Sequence, residues 1–409
     1  MTRNRAYVSL IFCCLFGIVI SAQLVESIGL PLMIGTGLRL GFLAVLLYAY
    51  YMLWRMHKLS VPKRGLRILC IAFFCYLFII ICRGDWNLSP MDLAANFVNP
   101  DGFLIYLLPI IILPLPSAKN ERTIFRVLFY LSLLVLPLWL LNYDRLLMAG
   151  DKYSYQSESI GMWLPFVSAF LLPMRGVLSR RERLVNLAVF IIYFILMLIN
   201  ARRNICLSFA LFSIISCISV VGRFSRKHYF STKLIYSVLV CLVIMVAVCA
   251  KPLLNGPFSF LKERGLENSR SSVEAIFIAD MISSPISDWV FGRGMDGTYE
   301  QLVIDNSTGD VSEDRRNIET GYLNMLLKGG IVYILFVLIF LVISTIIFFK
   351  QRTPSSNYFA AVLLVYVIDM YTSSPITLFY PRSILFWLLV SIALKPATPV
   401  EVVKRLPSK

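Results

Sequence analysis

The sequence predicts an all-α polytopic membrane protein with about 12 transmembrane helices and one long outer, periplasmic loop that contains a short amphipathic helix. Hydrophobic residues make up 58% of the 409 residues and charged residues only 15%. The mean hydropathy is +0.76, which is typical of membrane proteins. Long apolar runs recur along the chain, and a single polar insertion at 251–321 is far longer than a connector needs to be.

The apolar runs have about the 17 to 25 residues that a helix needs to cross the hydrocarbon layer. The run after Arg5 has no convincing cleavage site, so we expect a retained first helix. Three regions result: 1–250 with nine spans, the loop at 251–321, and 322–409 with three spans and a cytoplasmic tail. The predicted spans are 7–25, 37–54, 67–82, 102–116, 123–141, 160–174, 184–199, 204–222, 233–250, 322–349, 357–374 and 378–394.

Lys and Arg residues indicate the orientation of these spans. If the N-terminus is inside, the inside segments hold most of the 39 Lys and Arg residues but only three acidic ones, Glu121, Glu182 and Glu401. This is the positive-inside bias, so we expect both termini in the cytoplasm and the long loop outside. The net charge of +16 is then a topology signal, and no nucleic-acid partner is predicted.

Cysteine and histidine do not indicate a metal or disulfide site. All nine cysteines fall within apolar runs, where they usually act as small packing residues. Both histidines, His57 and His228, fall on the predicted cytoplasmic side. We therefore predict no metal and no cofactor, and any general base on the outer face must be another residue type.

Arginines on the predicted outer face are exceptions to the charge bias, so each requires a reason. Arginine is suited to bidentate binding of phosphate oxygens. The candidates for binding a diphosphate or another part of a substrate are Arg145, Arg202, Arg203, Arg270, Arg293, Arg315 and Arg316.

The tight polar turn at 200–204 holds Arg202 and Arg203 between two apolar runs. These side chains either extend to lipid headgroups or form an anion-binding pair at the membrane surface. A turn on the cytoplasmic side would leave nothing unusual about them.

Arg270 precedes a predicted helix in the long loop. Ser271-x-x-Glu274 is a capping-box pattern, apolar residues follow at helical spacing, and Ser284-Pro285 ends the segment. A helix N-terminus favours anions, and Arg270 would reinforce it. A solvated arginine that binds nothing fits the same pattern.

Further along the loop, residues 292–297 match the glycine pattern G-x-G-x-x-G. A dinucleotide site would need a strand before the pattern and a helix after it within a βαβ unit. An outer loop of a membrane protein offers no such unit, so a flexible glycine turn is the better interpretation.

Glu319 lies just before the span at 322–349. A carboxylate there either stabilises the helix dipole or acts as a general base at the mouth of a cavity. Asp310, Glu313 and Asp314 form an acidic cluster. The cluster either holds a cation or, more simply, is a solvated loop tip.

Three blocks within 198–349 resemble the bacterial O-antigen polymerase and O-antigen ligase superfamily. The turn at 200–204 and the apolar run after it resemble the family's Ser-Arg block. The segment 270–294 resembles its block of an arginine, an apolar helix, a proline and Gly-x-Gly. The segment 319–331 resembles the block in which a polar residue precedes Tyr-Leu and a later Gly-Ile.

The resemblance implies glycosyl transfer at the outer face of the bacterial inner membrane, from a glycan on undecaprenyl diphosphate. Arg202 or Arg203, together with Arg270, would bind the diphosphate. Since diphosphate is an activated leaving group, charge stabilisation and positioning of the acceptor hydroxyl suffice without a metal. The implied partners are the lipid-linked oligosaccharide, the lipid bilayer, a chain-length regulator and a flippase.

Glu319 stands where ligases of this superfamily carry a histidine, which favours a polymerase with Glu319 as the residue that activates the acceptor. An O-antigen ligase is one alternative. A transporter or flippase of lipid-linked sugar is another, and it would carry charges deep in several spans, whereas Asp369 is the clearest deep charge here.

Overall fold

The computed structural model describes residues 3–28, 31–59, 64–84, 96, 102–141, 164–174, 176–199, 210–216, 219, 270–304, 311–351, 353–373 and 376–395. Helices dominate these residues. The elements are α1 (Arg3–Ile28), α2 (Leu32–Arg55), α3 (Arg64–Cys82), α4 (Phe103–Ile112), α5 (Ser117–Leu141), α6 (Leu164–Leu171), α7 (Arg180–Ile199), α8 (Arg270–Ser283), α9 (Ile286–Phe291), β1 (Tyr299–Ile304), β2 (Val311–Arg315), α10 (Gly321–Gln351), α11 (Pro354–Thr372) and α12 (Pro381–Leu394).

The helical character of the prediction is confirmed, and so are several apolar helices. In the described part of the chain, four stretches are long and apolar enough to cross a membrane: Arg3–Ser21, Met33–Arg55, Gly65–Cys82 and Gly321–Gln351. The count of about 12 spans and the periplasmic position of the loop stay predictions.

Aromatic side chains at the centre of the bundle join α3, α10 and α12. The buried ring of Phe73 lies 5.1 Å from the ring of Phe340 and 5.4 Å from that of Trp387, measured between centroids. Phe336 packs on the same ring at 5.3 Å. Tilted contacts of this kind stabilise a pair beyond the area that it buries, so α10 is fixed against α3 and α12.

The loop contains a short hairpin that the all-α prediction missed. Strands β1 and β2 are antiparallel, with Tyr299 opposite Arg315 and Ile304 opposite Val311. β1 is rich in residues that favour strands, but β2 has the polar sequence Val-Ser-Glu-Asp-Arg. A polar strand of this kind has no periodic apolar signal, because its pairing with β1 is what makes it a strand.

The span predicted at 322–349 is a helix broken at Gly330. This residue has φ +62° inside α10, which is a left-handed conformation that glycine adopts readily. Residues 331–351 then form a continuous helix of about 30 Å, which is the thickness of the hydrocarbon layer. Residues 321–329 form a separate short helix that packs on the loop.

The turn at 292–297 contacts the carbonyl groups on the N-terminal side of this break. Such carbonyls require donors from elsewhere, because the break removes the intrahelical N–H groups that would otherwise bond them. The donors come from the turn and from α3: Arg293 N–H to Leu327 O (2.7 Å), Gly294 N–H to Lys328 O (3.0 Å) and Tyr76 O–H to Gly329 O.

The same turn is also attached to the end of α3. Met295 N–H donates to Ile80 O at 3.2 Å, and Lys328 Nζ, which is buried, donates to Gly297 O at 3.0 Å. The glycine pattern therefore forms a turn, as predicted, but the turn is packed between α3 and α10 and bonded to both, whereas a flexible turn was expected. Gly292 and Gly294 have positive φ, and the lack of a side chain allows the close backbone approach.

Distant contacts sort the chain into two ends of the bundle. At one end, Arg83 Nη2 lies 3.2 Å from Asp288 Oδ1, which joins α3 to α9. At the other, Arg126 Nη2 lies 2.8 Å from Glu182 Oε1, and Ser391 Oγ donates to Ile112 O at 3.1 Å. The distribution of Lys and Arg in the sequence predicts the same division of these segments between two sides of a membrane.

We expect Gly330→Ala and Gly292→Ala to destabilise the protein. Both residues have positive φ, at 62° and 70°, and an added Cβ would lie 2.3 Å from Val290 O in the first case and 2.4 Å from Gly329 N in the second. With ψ of −169° and −179°, both lie in a region open essentially only to glycine, so the conformational cost alone is about 1–3 kcal/mol, before the clash. Thermal unfolding of the purified protein in detergent measures the loss.

Gly41→Ala is the matched control, because nothing lies within 4 Å of a Cβ at that position in α2. An unfolding temperature for Gly330→Ala as high as that of Gly41→Ala would contradict the described break.

Candidate functional site

The start of α8 and the segment that precedes α10 meet in the structure. Thr320 Oγ1 donates to Glu274 Oε1, which joins α8 to the residue that precedes α10. Thr320 is buried. Since Glu274 lies one helical turn after Arg270, the first turn of α8 runs beside the start of α10. The N-termini of two helices and Glu319 are thereby brought to one place.

Tyr299, at the base of the hairpin, interacts with both Arg315 and Glu319. The Arg315 guanidinium donates to the Tyr299 hydroxyl, and the Glu319 carboxylate lies close enough to act on it electrostatically. Burial raises the pKa of Tyr299, Arg315 lowers it, and Glu319 raises it further. The hydroxyl therefore stays neutral at physiological pH, while Glu319 itself is exposed.

A small apolar core lies beneath this polar surface and is separate from the core of the bundle. Phe277 and Met281 of α8 pack with Tyr299, Ile318 and Leu327. The rings of Phe277 and Tyr299 meet edge to face, with centroids 5.5 Å apart. This core fixes the hairpin and α8 on the first turns of α10, so the polar groups above it keep their relative positions.

Arg293 holds the loop together from inside. Its Nη1 lies 2.6 Å from Asp280 Oδ2 and its Nε 3.5 Å from Asp288 Oδ2, and its Nη2 donates to Ser284 Oγ. Two carboxylates already compensate its charge. The geometry therefore gives Arg293 a structural role and does not favour the diphosphate contact that the sequence suggested.

The start of α10 is seated on the ends of α11 and α12. Gly321 approaches Ser373 so closely that an added Cβ would lie 2.4 Å from Ser373 O. Asn324 Nδ2 donates to Thr377 Oγ1 at 2.8 Å. The segment between α11 and α12 thus supports the position of the neighbouring Glu319.

A buried ion pair fixes that supporting segment. Arg382 Nη1 donates to both carboxylate oxygens of Asp369, at 3.0 and 3.1 Å, and Ser373 Oγ donates to Asp369 Oδ1 at 2.7 Å. Asp369 is 0% exposed and Arg382 2% exposed. The guanidinium also lies over the ring of Phe166, 4.9 Å from its centroid.

The predicted site residues are partly described. Arg270 is the first residue of α8, so the predicted helix is present but begins slightly before the capping box at Ser271, and Glu274 bonds Thr320 instead of closing that box. The side chain of Arg270 is outside the described part. Arg316 is exposed, and Arg315 is half-buried. Arg145, Arg202, Arg203 and Asp310 lie outside the described residues.

Sequence reasoning missed three features: the contact of Glu274 with Thr320, the place of Tyr299, and the pairing of Asp369 with Arg382. The last had a signal, because charges in apolar spans usually pair with each other and these two stand thirteen residues apart. The other two depend on packing of the hairpin and had no local signal.

The arrangement offers the exposed carboxylate of Glu319, the arginines Arg315 and Arg316 a few residues before it, and the N-termini of α8 and α10. Helix N-termini and arginines favour an anion, and a carboxylate can accept a proton from a hydroxyl. Among the described residues no group of three or more His, Cys, Asp or Glu could hold a metal ion.

No protein-family model matches this chain, and no curated protein is significantly similar to it.

We expect Thr320→Val to loosen the contact between α8 and α10. Valine keeps the shape but removes the donor to Glu274, and a partly buried carboxylate without its hydrogen bond costs about 1–3 kcal/mol. The change is measured as a lower unfolding temperature in detergent and as faster proteolysis within the loop.

Thr345→Val is the matched control, since the buried Thr345 hydroxyl has no hydrogen-bond partner among the described residues. Equal unfolding temperatures for the two variants would show that the Glu274 contact contributes nothing.

For the buried ion pair, we expect non-additive effects. Arg382→Met or Asp369→Leu alone leaves an uncompensated buried charge, which costs about 3–5 kcal/mol. The double variant removes both charges and loses less stability than the two single variants together. A double-mutant cycle on thermal unfolding measures this, and additive losses would contradict the pairing.

Proposed function

We propose that this protein is a polysaccharide polymerase of the O-antigen or capsule type. It transfers a growing glycan from undecaprenyl diphosphate to a lipid-linked repeat unit at the outer face of a bacterial inner membrane. The single observation that carries the proposal is the hydrogen bond from Thr320 to Glu274. It joins the first turn of α8, which begins at Arg270, to the residue beside Glu319.

The site suits a metal-independent glycosyltransferase. Arg270 and the free N–H groups at the start of α8 bind the diphosphate of the donor. Glu319 accepts the proton of the acceptor hydroxyl as its oxygen attacks the anomeric carbon of the donor sugar. The bond from that carbon to the diphosphate oxygen breaks, and the electron pair leaves on the diphosphate, whose charge the arginines stabilise.

Arg315 and Arg316 extend the same cationic surface. Arg315 is held in place by Tyr299, so it needs little reordering to meet an anion. Arg316 is exposed next to it. Arg202, Arg203 and Arg145 complete the proposed substrate site by their positions in the sequence.

The contacts between distant segments support the proposed topology. Arg83, Asp288, Gly321 and Ser373 group at one end of the bundle, which the charge bias predicts to be outside. Arg126 and Glu182 lie at the other end, which the charge bias assigns to the inside together with both termini. Both termini are therefore proposed to be cytoplasmic.

The pairing of Asp369 favours a polymerase over a transporter. A transport path needs charges that are available to cargo in the middle of the membrane, whereas Asp369 is bonded by Arg382 and Ser373.

A deletion strain separates polymerase from ligase. Loss of a polymerase leaves single-repeat lipopolysaccharide, and loss of a ligase leaves polymer on the lipid carrier without surface glycan.

We expect Arg270→Ala and Arg203→Ala to abolish polymer in the complemented deletion strain, because each removes a diphosphate contact. Glu319→Gln should reduce polymer strongly, since an amide cannot accept the proton. Gel profiles of surface glycan measure chain length, and immunoblots of membranes confirm insertion.

Arg181→Ala, at an exposed arginine near the start of α7, is the control that should keep normal chain lengths. Normal chain lengths in the Arg270 and Arg203 variants would refute the diphosphate site, and normal polymer with Glu319→Gln would remove Glu319 from catalysis.

A further inference from the structure

Helix α8 has an apolar surface on both sides. One side, with Phe277 and Met281, packs on the small loop core. The outward side is also apolar: among the described side chains at 273–283, the exposed ones are Ala275, Ile276, Ile278, Ala279, Ile282 and Ser283. A helix that faces water carries charged residues on its outward side, and a helix that is apolar all round faces either a core or a membrane.

The acidic side chains of α8 are turned to internal partners. Glu274 accepts from Thr320, and Asp280 pairs with Arg293. Neither contributes charge to the outward side.

The apolar surface continues into α9. Ile282 is 72% exposed and Ile286 is 81% exposed, and Phe291 at the end of α9 is also exposed. The fractions for Ile282 and Ile286 exceed that of Phe78 on α3, at 62%, within a helix apolar enough to span the membrane. In a surface loop bathed in water such side chains would form an unusual patch.

The level of α9 in the structure is set by two membrane helices. Val290 O lies against Gly330, where the segment of α10 that is about 30 Å long begins, and Asp288 pairs with Arg83 just after the end of α3. α9 therefore lies where two spans reach the surface of the hydrocarbon layer. The exposed Ile331 and Leu335 continue the apolar surface down α10.

The strands and the residue after them expose charged side chains, in contrast to the apolar side chains of α8 and α9. Glu300, Asp314 and Arg316 are exposed there. The described part of the loop is thus amphipathic, with an apolar side at the level of the membrane boundary and a polar side on the strands. An amphipathic element of this kind lies in the interface with its apolar side among the lipid chains.

We propose that the outward side of α8 and α9 is seated in the lipid leaflet at this end of the bundle, with Ile282, Ile286 and Phe291 among the acyl chains. The loop is a membrane-surface element rather than a domain in water. This seating does not depend on glycosyl transfer. It would hold the exposed carboxylate of Glu319 at the depth of lipid headgroups.

Fluorine NMR on the full-length protein in nanodiscs of phosphatidylethanolamine and phosphatidylglycerol tests the proposal. Trifluoromethyl-phenylalanine is placed at one position at a time: 282, 286 and 291 on the apolar side, and 300 and 314 on the hairpin. Relaxation is measured with dissolved oxygen, which concentrates in lipid, and with a nickel chelate, which stays in water.

We expect the ratio of oxygen effect to nickel effect to be several-fold higher at 282, 286 and 291 than at 300 and 314. Position 291 is naturally phenylalanine, so this label is nearly isosteric and reports even if another variant fails to fold. Equal ratios at all positions would place the helices in water and overturn the proposal. Protection of 282, 286 and 291 from both reagents would also overturn it, because a protein partner or a second copy would then cover this side.

Discussion

The arrangement of the loop depends on the backbone bonds at the break in α10. A broken helix inside a membrane protein must find donors for its carbonyl oxygens. Here the donors are Arg293 N–H, Gly294 N–H and the Tyr76 hydroxyl. Because these bonds join the loop to α3 and α10 at once, the loop is part of the bundle. The positions of α8, α9 and the hairpin depend on this attachment.

Polar side chains on the attached loop form the candidate site. Arg293 pairs with Asp280 and Asp288, so the proposed anion contacts fall to Arg270, Arg315 and Arg316. Tyr299 interacts with both Arg315 and Glu319. The proposed reaction needs such an arrangement, with cations for the leaving diphosphate and one accessible carboxylate for the acceptor. A loop seated in the lipid surface would meet a lipid-linked donor without lifting it into water.

Local patterns in the sequence were sufficient for the helices. The apolar runs, the existence of α8 and its end at Ser284-Pro285 follow from periodicity and from residues that begin or end helices, although α8 begins at Arg270, slightly before the predicted cap at Ser271. The hairpin was missed because β2 is polar and becomes a strand only by pairing with Tyr299 and its neighbours. The break at Gly330 was missed because a glycine in an apolar run is common in membrane helices, and its φ is set by Val290 and Gly292. For the candidate site, the sequence indicates Arg270 and Glu319, but the contact of Glu274 with Thr320 that brings their two segments together is a tertiary contact.

The most direct test of the account is polymerisation by the purified protein in lipid, supplied with undecaprenyl-diphosphate-linked repeat unit and a metal chelator. The account predicts a ladder of glycans that lengthen on the lipid carrier, with undecaprenyl diphosphate released at each step and no ladder from the Arg270→Ala protein. A folded protein that leaves the repeat unit unchanged, or that lengthens it equally well without Arg270, would contradict it.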